Sequence, residues 1–225
     1  MVSLNARAWF ALVVFGVAIA LLLFVVAGTI RYWQAWIYLA IALGASLLTT
    51  LYLMKNDPAL LERRMRGGPT AEREPRQKVI MLFASLGFIA LLVVPALDHR
   101  LGWSRVPLWG VVIGNLLTGV GFYLIYRVYR VNTFTSATIQ VAADQTVVST
   151  GPYAIVRHPM YASASLYVIG TPLALGSYWG LLAGAATAPF LIWRLLDEER
   201  LLAQRLPGYT EYQRKVPYRL VPRIW

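Results

Sequence analysis

Residues 159–195, PMYASASLYVIGTPLALGSYWGLLAGAATAPFLIWRL, are apolar over most of their length, and Gly176-Ser177 interrupts them near the middle. One crossing of a bilayer takes about 20 residues of helix. The stretch is long enough for two crossings, and the Gly-Ser break is a natural turn, so it reads as a tight helical hairpin. Four more apolar stretches, about 8–27, 33–54, 79–97 and 107–129, are each close to a single crossing. The expectation is an all-α, polytopic transmembrane bundle of four spans plus the C-terminal hairpin. The first stretch is too long for the apolar part of a signal peptide and lacks a convincing small-x-small cleavage site, so it is read as a span.

Composition points the same way. The chain has 225 residues, of which 58% are hydrophobic and 14% charged. Soluble domains carry roughly 25% charged residues, and disordered chains need low hydrophobicity, so neither class fits. There is no cysteine, which excludes a disulfide scaffold, a thiolate metal site and a cysteine nucleophile. With only His99 and His158 as histidines, no metal site is expected.

The net charge of +11 is distributed by side rather than along one soluble face. Segment 55–78 holds seven Lys and Arg, whereas connections 28–32 and 98–106 hold Arg31, Arg100 and Arg105. If 55–78 is cytoplasmic, alternation places the N-terminus, 130–158 and the C-terminal tail on the same side, and 18 of the 21 basic residues with them. Positive residues favour the cytoplasmic face, and anionic lipid accounts for the remaining attraction. A nucleic-acid role is not expected.

Two halves differ in character. Residues 1–129 read as four plain spans with a charged loop, 55–78, that turns at Asp57-Pro58 and again at Gly67-Gly68-Pro69. Small residues at Gly110, Gly114, Gly119 and Gly121, and at Gly176, Gly180 and Gly184, suit close helix packing in lipid. Residues 130–225 are denser in polar chemistry and are expected to form the catalytic half. Segment 132–150, NTFTSATIQVAADQTVVST, is too polar to span and reads as an interfacial loop with a short extended piece. Segment 197–225 is expected to continue the last helix and then turn at Pro207-Gly208. There is no internal repeat.

Two motifs carry chemistry. The first is Gly151-Pro152-Tyr153, followed by Arg157-His158-Pro159-Met160-Tyr161. Pro159 restricts His158 to extended backbone and is favoured as a first helical residue. His158 therefore sits at a helix mouth, whose N–H groups suit an anionic group, with Arg157 adding positive charge. The second motif is Trp193-Arg194, then Asp197-Glu198-Glu199-Arg200. Arg194 and Glu198 share a helix face, and the hairpin returns them beside His158. Ionisable groups near hydrocarbon point to function.

Together, GPYAIVRHPMY, an apolar hairpin, R-x3-EE-x2-L and the tail GYTEYQRKVPYRLVP resemble the isoprenylcysteine carboxyl methyltransferase family, and more loosely the phospholipid N-methyltransferases. The resemblance covers about 132–222. It implies an integral membrane enzyme with a cytoplasmic pocket for S-adenosylmethionine, which leaves as S-adenosylhomocysteine. By the same resemblance Gln140, Gln145, Thr146, Val147 and Val148 form a strand-like cofactor wall. Tyr153, His158, Pro159, Met160 and Tyr161 match further cofactor positions. Glu198 matches a cofactor-binding acid, and Arg194 a catalytic arginine at the substrate. Gln145 stands where eukaryotic members commonly carry histidine, and the match at Gln140 needs a short gap.

The chemistry of the residues agrees. The helix mouth suits the cofactor's carboxylate, Glu198 its ammonium or hydroxyls, and tyrosine rings its adenine or sulfonium. A carboxylate acceptor is already ionised and needs only to be held, which Arg194 can do bidentately. An amine must first lose a proton, for which Glu198 or Glu199 is the candidate. The expected acceptor is a lipophilic small molecule or a lipidated carboxylate, with a lipid amine or small thiol as the alternative. A scaffold or transporter is the rival of another class, and a transporter should show ionisable groups near mid-membrane. Stretches 8–27, 33–54 and 79–97 carry none away from their ends.

Overall fold

The computed structural model describes residues 3–72, 74–139, 141–142 and 144–225. Among the described residues eight α-helices follow one another: α1 (Leu4–Ala27), α2 (Trp33–Asn56), α3 (Pro58–Met65), α4 (Pro75–Leu101), α5 (Leu108–Val131), α6 (Pro159–Ala174), α7 (Trp179–Arg205) and α8 (Tyr209–Lys215). Five of them (α1, α2, α4, α5 and α7) are long and apolar enough to cross a membrane. The expected four spans are present, and 159–195 does fold as a helical hairpin, but only its second arm, α7, is long enough to cross; α6, at 16 residues, falls short of the second crossing expected.

Local signals fix the ends. Ser3 caps α1 by accepting from the Ala6 N–H, and Asp57 caps α3 by accepting from the Leu60 N–H. Proline opens α3, α4 and α6, where its missing N–H costs nothing. Gly28 and Gly102 close α1 and α4 in the left-handed region. Charged segment 55–78 is not a plain loop: it folds into α3 and a short 3-10 turn at Pro69–Ala71. The tail helix α8 starts after Gly208, at φ 82°, where the turn was expected.

α5 lies along α6, α4 along α7, and α1 and α2 pack on α4 and α5. The α5–α6 approach is backbone to backbone. A Cβ on Gly114 would stand 2.2 Å from the Ala174 nitrogen, and one on Gly170 would stand 2.8 Å from the Gly114 oxygen. The small residues here serve packing, as expected.

At one end of the bundle, Asp98 ties the hairpin tip to α4. It is buried, accepts from Ser104 N (2.7 Å) and Ser104 Oγ (2.5 Å), and takes the Ser177 hydroxyl at 2.5 Å. The Tyr32 hydroxyl donates to the Leu175 carbonyl at 2.5 Å. The hairpin turns between α6 and α7 with Gly176 at φ 77°. The opposite end gathers α3, segment 132–158 and the tail: Arg63 bonds Thr133 and Arg64 bonds the Ser136 carbonyl.

At 1.5 Å per residue α6 is only about 24 Å long, against about 40 Å for α7. Its N-terminus consequently stops beside the body of α7, short of that helix's end. This sets where the two chemical motifs can meet.

Candidate functional site

His158 is the N-cap residue of α6, with φ −121° and ψ 62°. Its N–H donates to the Arg219 carbonyl at 3.0 Å, and the Arg157 N–H donates to the Tyr218 carbonyl at 2.9 Å. The tail is thus laid directly on the helix mouth. Glu199 locks it there. Its carboxylate accepts from Arg157 Nε at 2.7 Å and from Arg219 Nε at 2.6 Å, and Arg157 also donates to the Val216 carbonyl at 2.8 Å. Arg157 and Glu199 are both buried. The positive charge of Arg157, expected to serve an anion at the mouth, is therefore opposed by Glu199. Glu199, held by two guanidiniums, is correspondingly no free proton acceptor.

Glu198, one residue earlier, turns to the other side of α7. It accepts the Tyr161 hydroxyl at 2.7 Å. That bond joins the first turn of α6 to α7 and brings the two sequence motifs together. Arg194, one turn back on α7, is buried. It donates to Gln77 Oε1 at 3.2 Å and to the Ala137 carbonyl at 2.9 Å. Glu72 Oε1 lies 2.7 Å from its second terminal nitrogen. The Glu72 contact is an ion pair rather than a hydrogen bond, because Oε1 is off the N–H directions and has no hydrogen-bond partner among the described residues.

Arg194, Glu198 and Tyr161 share a cavity of about 310 Å3 with His158. Gln145, Thr146, Val147, Val148, Tyr153, His158, Pro159, Met160, Tyr161, Arg194 and Glu198 all lie on its wall. Gln140 lies outside the described residues. The extended piece expected in 132–150 forms no strand, and none occurs among the described residues. A lone extended segment has no neighbour to share a ladder with. Residues 145–148 lie outside regular secondary structure, with the Gln145 side chain accepting from the Ala142 N–H. Sequence reasoning missed Phe88 of α4, Asn132 and segment 134–139, and Tyr209 and Tyr212 of the tail, which complete the wall.

The phenols of Tyr153 and Tyr209 are pushed well above the ordinary tyrosine range by burial, so both remain neutral hydrogen-bonding groups. Tyr153 Oη accepts from Asn132 at 2.8 Å. Two buried atoms of wall residues, His158 Nε2 and Tyr209 Oη, have no hydrogen-bond partner among the described residues, although His158 Nε2 lies 3.6 Å from Glu199. A second, apolar cavity of about 330 Å3 lies between α6 and α7, lined by residues such as Val168, Ile169, Leu181 and Ala188. It shares Tyr161 and Leu191 with the first.

Fold and site thus define a helical protein with membrane-length helices, a cavity at one end whose largely apolar wall carries polar and charged side chains, and an apolar cavity adjoining it. A phospholipid methyltransferase family model matches residues 109–207, which run from α5 through α7. Protein-S-isoprenylcysteine O-methyltransferase of Schizosaccharomyces pombe is 34% identical over 76 residues, 33% of this chain and 32% of that enzyme. The cobalt-zinc-cadmium resistance protein CzcN of Cupriavidus metallidurans is 27% identical over 143 residues, 54% of this chain and 66% of that protein. The chain spans less than two thirds of the length of either relative. The resemblance to integral membrane methyltransferases, drawn above from the motifs, is borne out.

Proposed function

We propose that the protein is a membrane methyltransferase that uses S-adenosylmethionine and methylates a lipophilic acceptor in the first cavity. One observation carries this reading. His158 and Tyr161 from one motif, and Arg194 and Glu198 from the other, line a single cavity, and the Tyr161–Glu198 hydrogen bond closes the gap between them.

The residues present fit the cofactor. Small-molecule cavities run from about 300 to 1,000 Å3, and this one is at the lower end. The unpartnered His158 Nε2 and Tyr209 Oη are polar atoms that a ligand with carboxylate and hydroxyl groups would satisfy. Glu198 suits an ammonium or ribose hydroxyls, and the rings of Tyr153 and Tyr212 suit a flat base. Segment 145–148 forms the facing wall, and Gln140 is proposed to extend it. When bound, S-adenosylmethionine supplies an activated methyl group on a sulfonium.

The chain's own residues do the rest. Tyr161 orients the Glu198 carboxylate, and the tail held by Glu199 covers the His158 mouth. Arg194 faces the acceptor with the donors not engaged by Gln77 and Ala137; a carboxylate, the acceptor that the family resemblance implies, would be held there. The apolar cavity between α6 and α7 takes the acceptor's hydrocarbon part. The basic end of the bundle faces the cytoplasm, from which the cofactor enters, while the acceptor enters from the bilayer.

A second reading, an amine acceptor, is favoured by the Glu72 ion pair, which already balances the charge of Arg194. In that case Glu198 takes the proton. Thermal unfolding of the purified protein tests the shared core of both readings. S-adenosylmethionine and S-adenosylhomocysteine should raise Tm by mass action, with about 2.7 kcal/mol of stabilisation at 100 times Kd. No shift at millimolar ligand would remove the cofactor from the account.

A further inference from the structure

We infer that Glu72, from the segment joining α3 to α4, is a positioning residue that sets which charge of acceptor the cavity accepts. The inference rests on the methyltransferase reading and extends it to acceptor class.

Glu72 is 4% exposed. Its Oε1 lies 2.7 Å from Arg194, and its Oε2 faces the Ile139 N–H at 3.4 Å. It stands behind the guanidinium rather than on the cavity wall. Gln77, one turn into α4, is also buried and fixes a second guanidinium nitrogen while donating to Asp197 at 2.8 Å. Arg194 is therefore held from behind by two residues of the N-terminal half.

Two consequences follow from charge and geometry. A bidentate carboxylate clamp must use the second terminal nitrogen, either with Nε or with the first. That nitrogen already donates to Ala137 and has the Glu72 oxygen against it. The full positive charge that would attract an anion is also opposed at contact distance, inside a buried site where screening is weak. With Arg194 balanced, Glu198 is the acid on the wall for which no ion pair occurs among the described residues. The intact pair thus biases the cavity against anionic head groups and towards neutral or cationic ones.

The test uses full-length protein in lipid nanodiscs and two probes of equal chain length, a dodecyl carboxylate and a dodecyl amine. Binding of each is measured by tryptophan fluorescence on wild type, Glu72→Gln and Glu72→Asp, beside S-adenosylhomocysteine affinity by calorimetry. In Glu72→Gln the ratio of carboxylate to amine affinity should rise roughly tenfold, about 1.4 kcal/mol. Glu72→Asp should return the ratio towards wild type. Nucleoside affinity should stay within about twofold in both. A merely structural role would weaken both probes alike and leave the ratio unmoved. An unchanged ratio, including binding of neither probe to any form, overturns the inference. Failure of wild type to bind the nucleoside instead overturns the methyltransferase reading, so the two failures are told apart.

Discussion

The first two helices and the last three solve different problems. α1 exposes Phe10, Val13, Val17, Leu21 and Val25, and its buried residues are only Ala8, Ile19, Leu23 and Ala27. Such a surface is stable only against lipid, where exposed hydrocarbon carries no penalty. α7 instead buries Arg194 and Glu199, and the helices around it exist in part to satisfy them. A lipid-facing helix tolerates any apolar side chain of suitable size. A helix that buries charge tolerates very little, because each removed partner leaves a group uncompensated.

Glu199→Ala should show this contrast most strongly. It removes the carboxylate shared by Arg157 and Arg219 and should cost about 3–5 kcal/mol, read as a fall in Tm, with loss of nucleoside binding as the tail detaches. A stable variant with an attached tail would mean the latch is ornamental. Two glycines form the next comparison. Gly114→Ala places a Cβ 2.2 Å from backbone in α6 and should cost about 1–3 kcal/mol or more. Gly44→Ala in α2 meets nothing within 4 Å and should be neutral or stabilising by up to ~1 kcal/mol. Equal effects of the two would abolish the distinction between an open lipid-side helix face and the tight α5–α6 seam.

Glu198→Ala should lower stability by about 1–3 kcal/mol, because the Tyr161 hydroxyl loses its acceptor, while weakening S-adenosylhomocysteine affinity by roughly tenfold or more, as expected for a lost hydrogen bond to a charged group. Calorimetry decides this, and unaltered affinity would take Glu198 out of the site. Ser177→Ala is the mildest change. It deletes one of the bonds to Asp98 at the hairpin tip and should lower stability by about 1 kcal/mol, with ligand affinity untouched at the far end of the bundle.

Spans, hairpin and both motifs were legible because each depends on local pattern. The run 159–195 declares two helices by length and by Gly176, and Pro159 declares where α6 begins. Arg194 and Glu198 declare a shared face by their spacing. By pattern alone the connection 55–78 is a charged loop, yet its Glu72 and Gln77 grip Arg194. No local pattern marks such a pair, since its members are joined only when α4 packs on α7. Segment 145–148 reads as a short extended piece and does lie on the cavity wall, but it pairs with no strand among the described residues, because a ladder needs a neighbour that local pattern cannot supply.

The sequence by itself determined how many apolar helices there are, where the chain reverses, and which residue types gather at one end, because hydrophobic length and turn chemistry act over a few residues. Only the tertiary structure decided that Arg157 is opposed by Glu199, that Arg194 is opposed by Glu72, and that Glu198 faces the cavity. Which charges stay free is settled by contacts between distant segments, and buried ion pairs are strong only at contact distance.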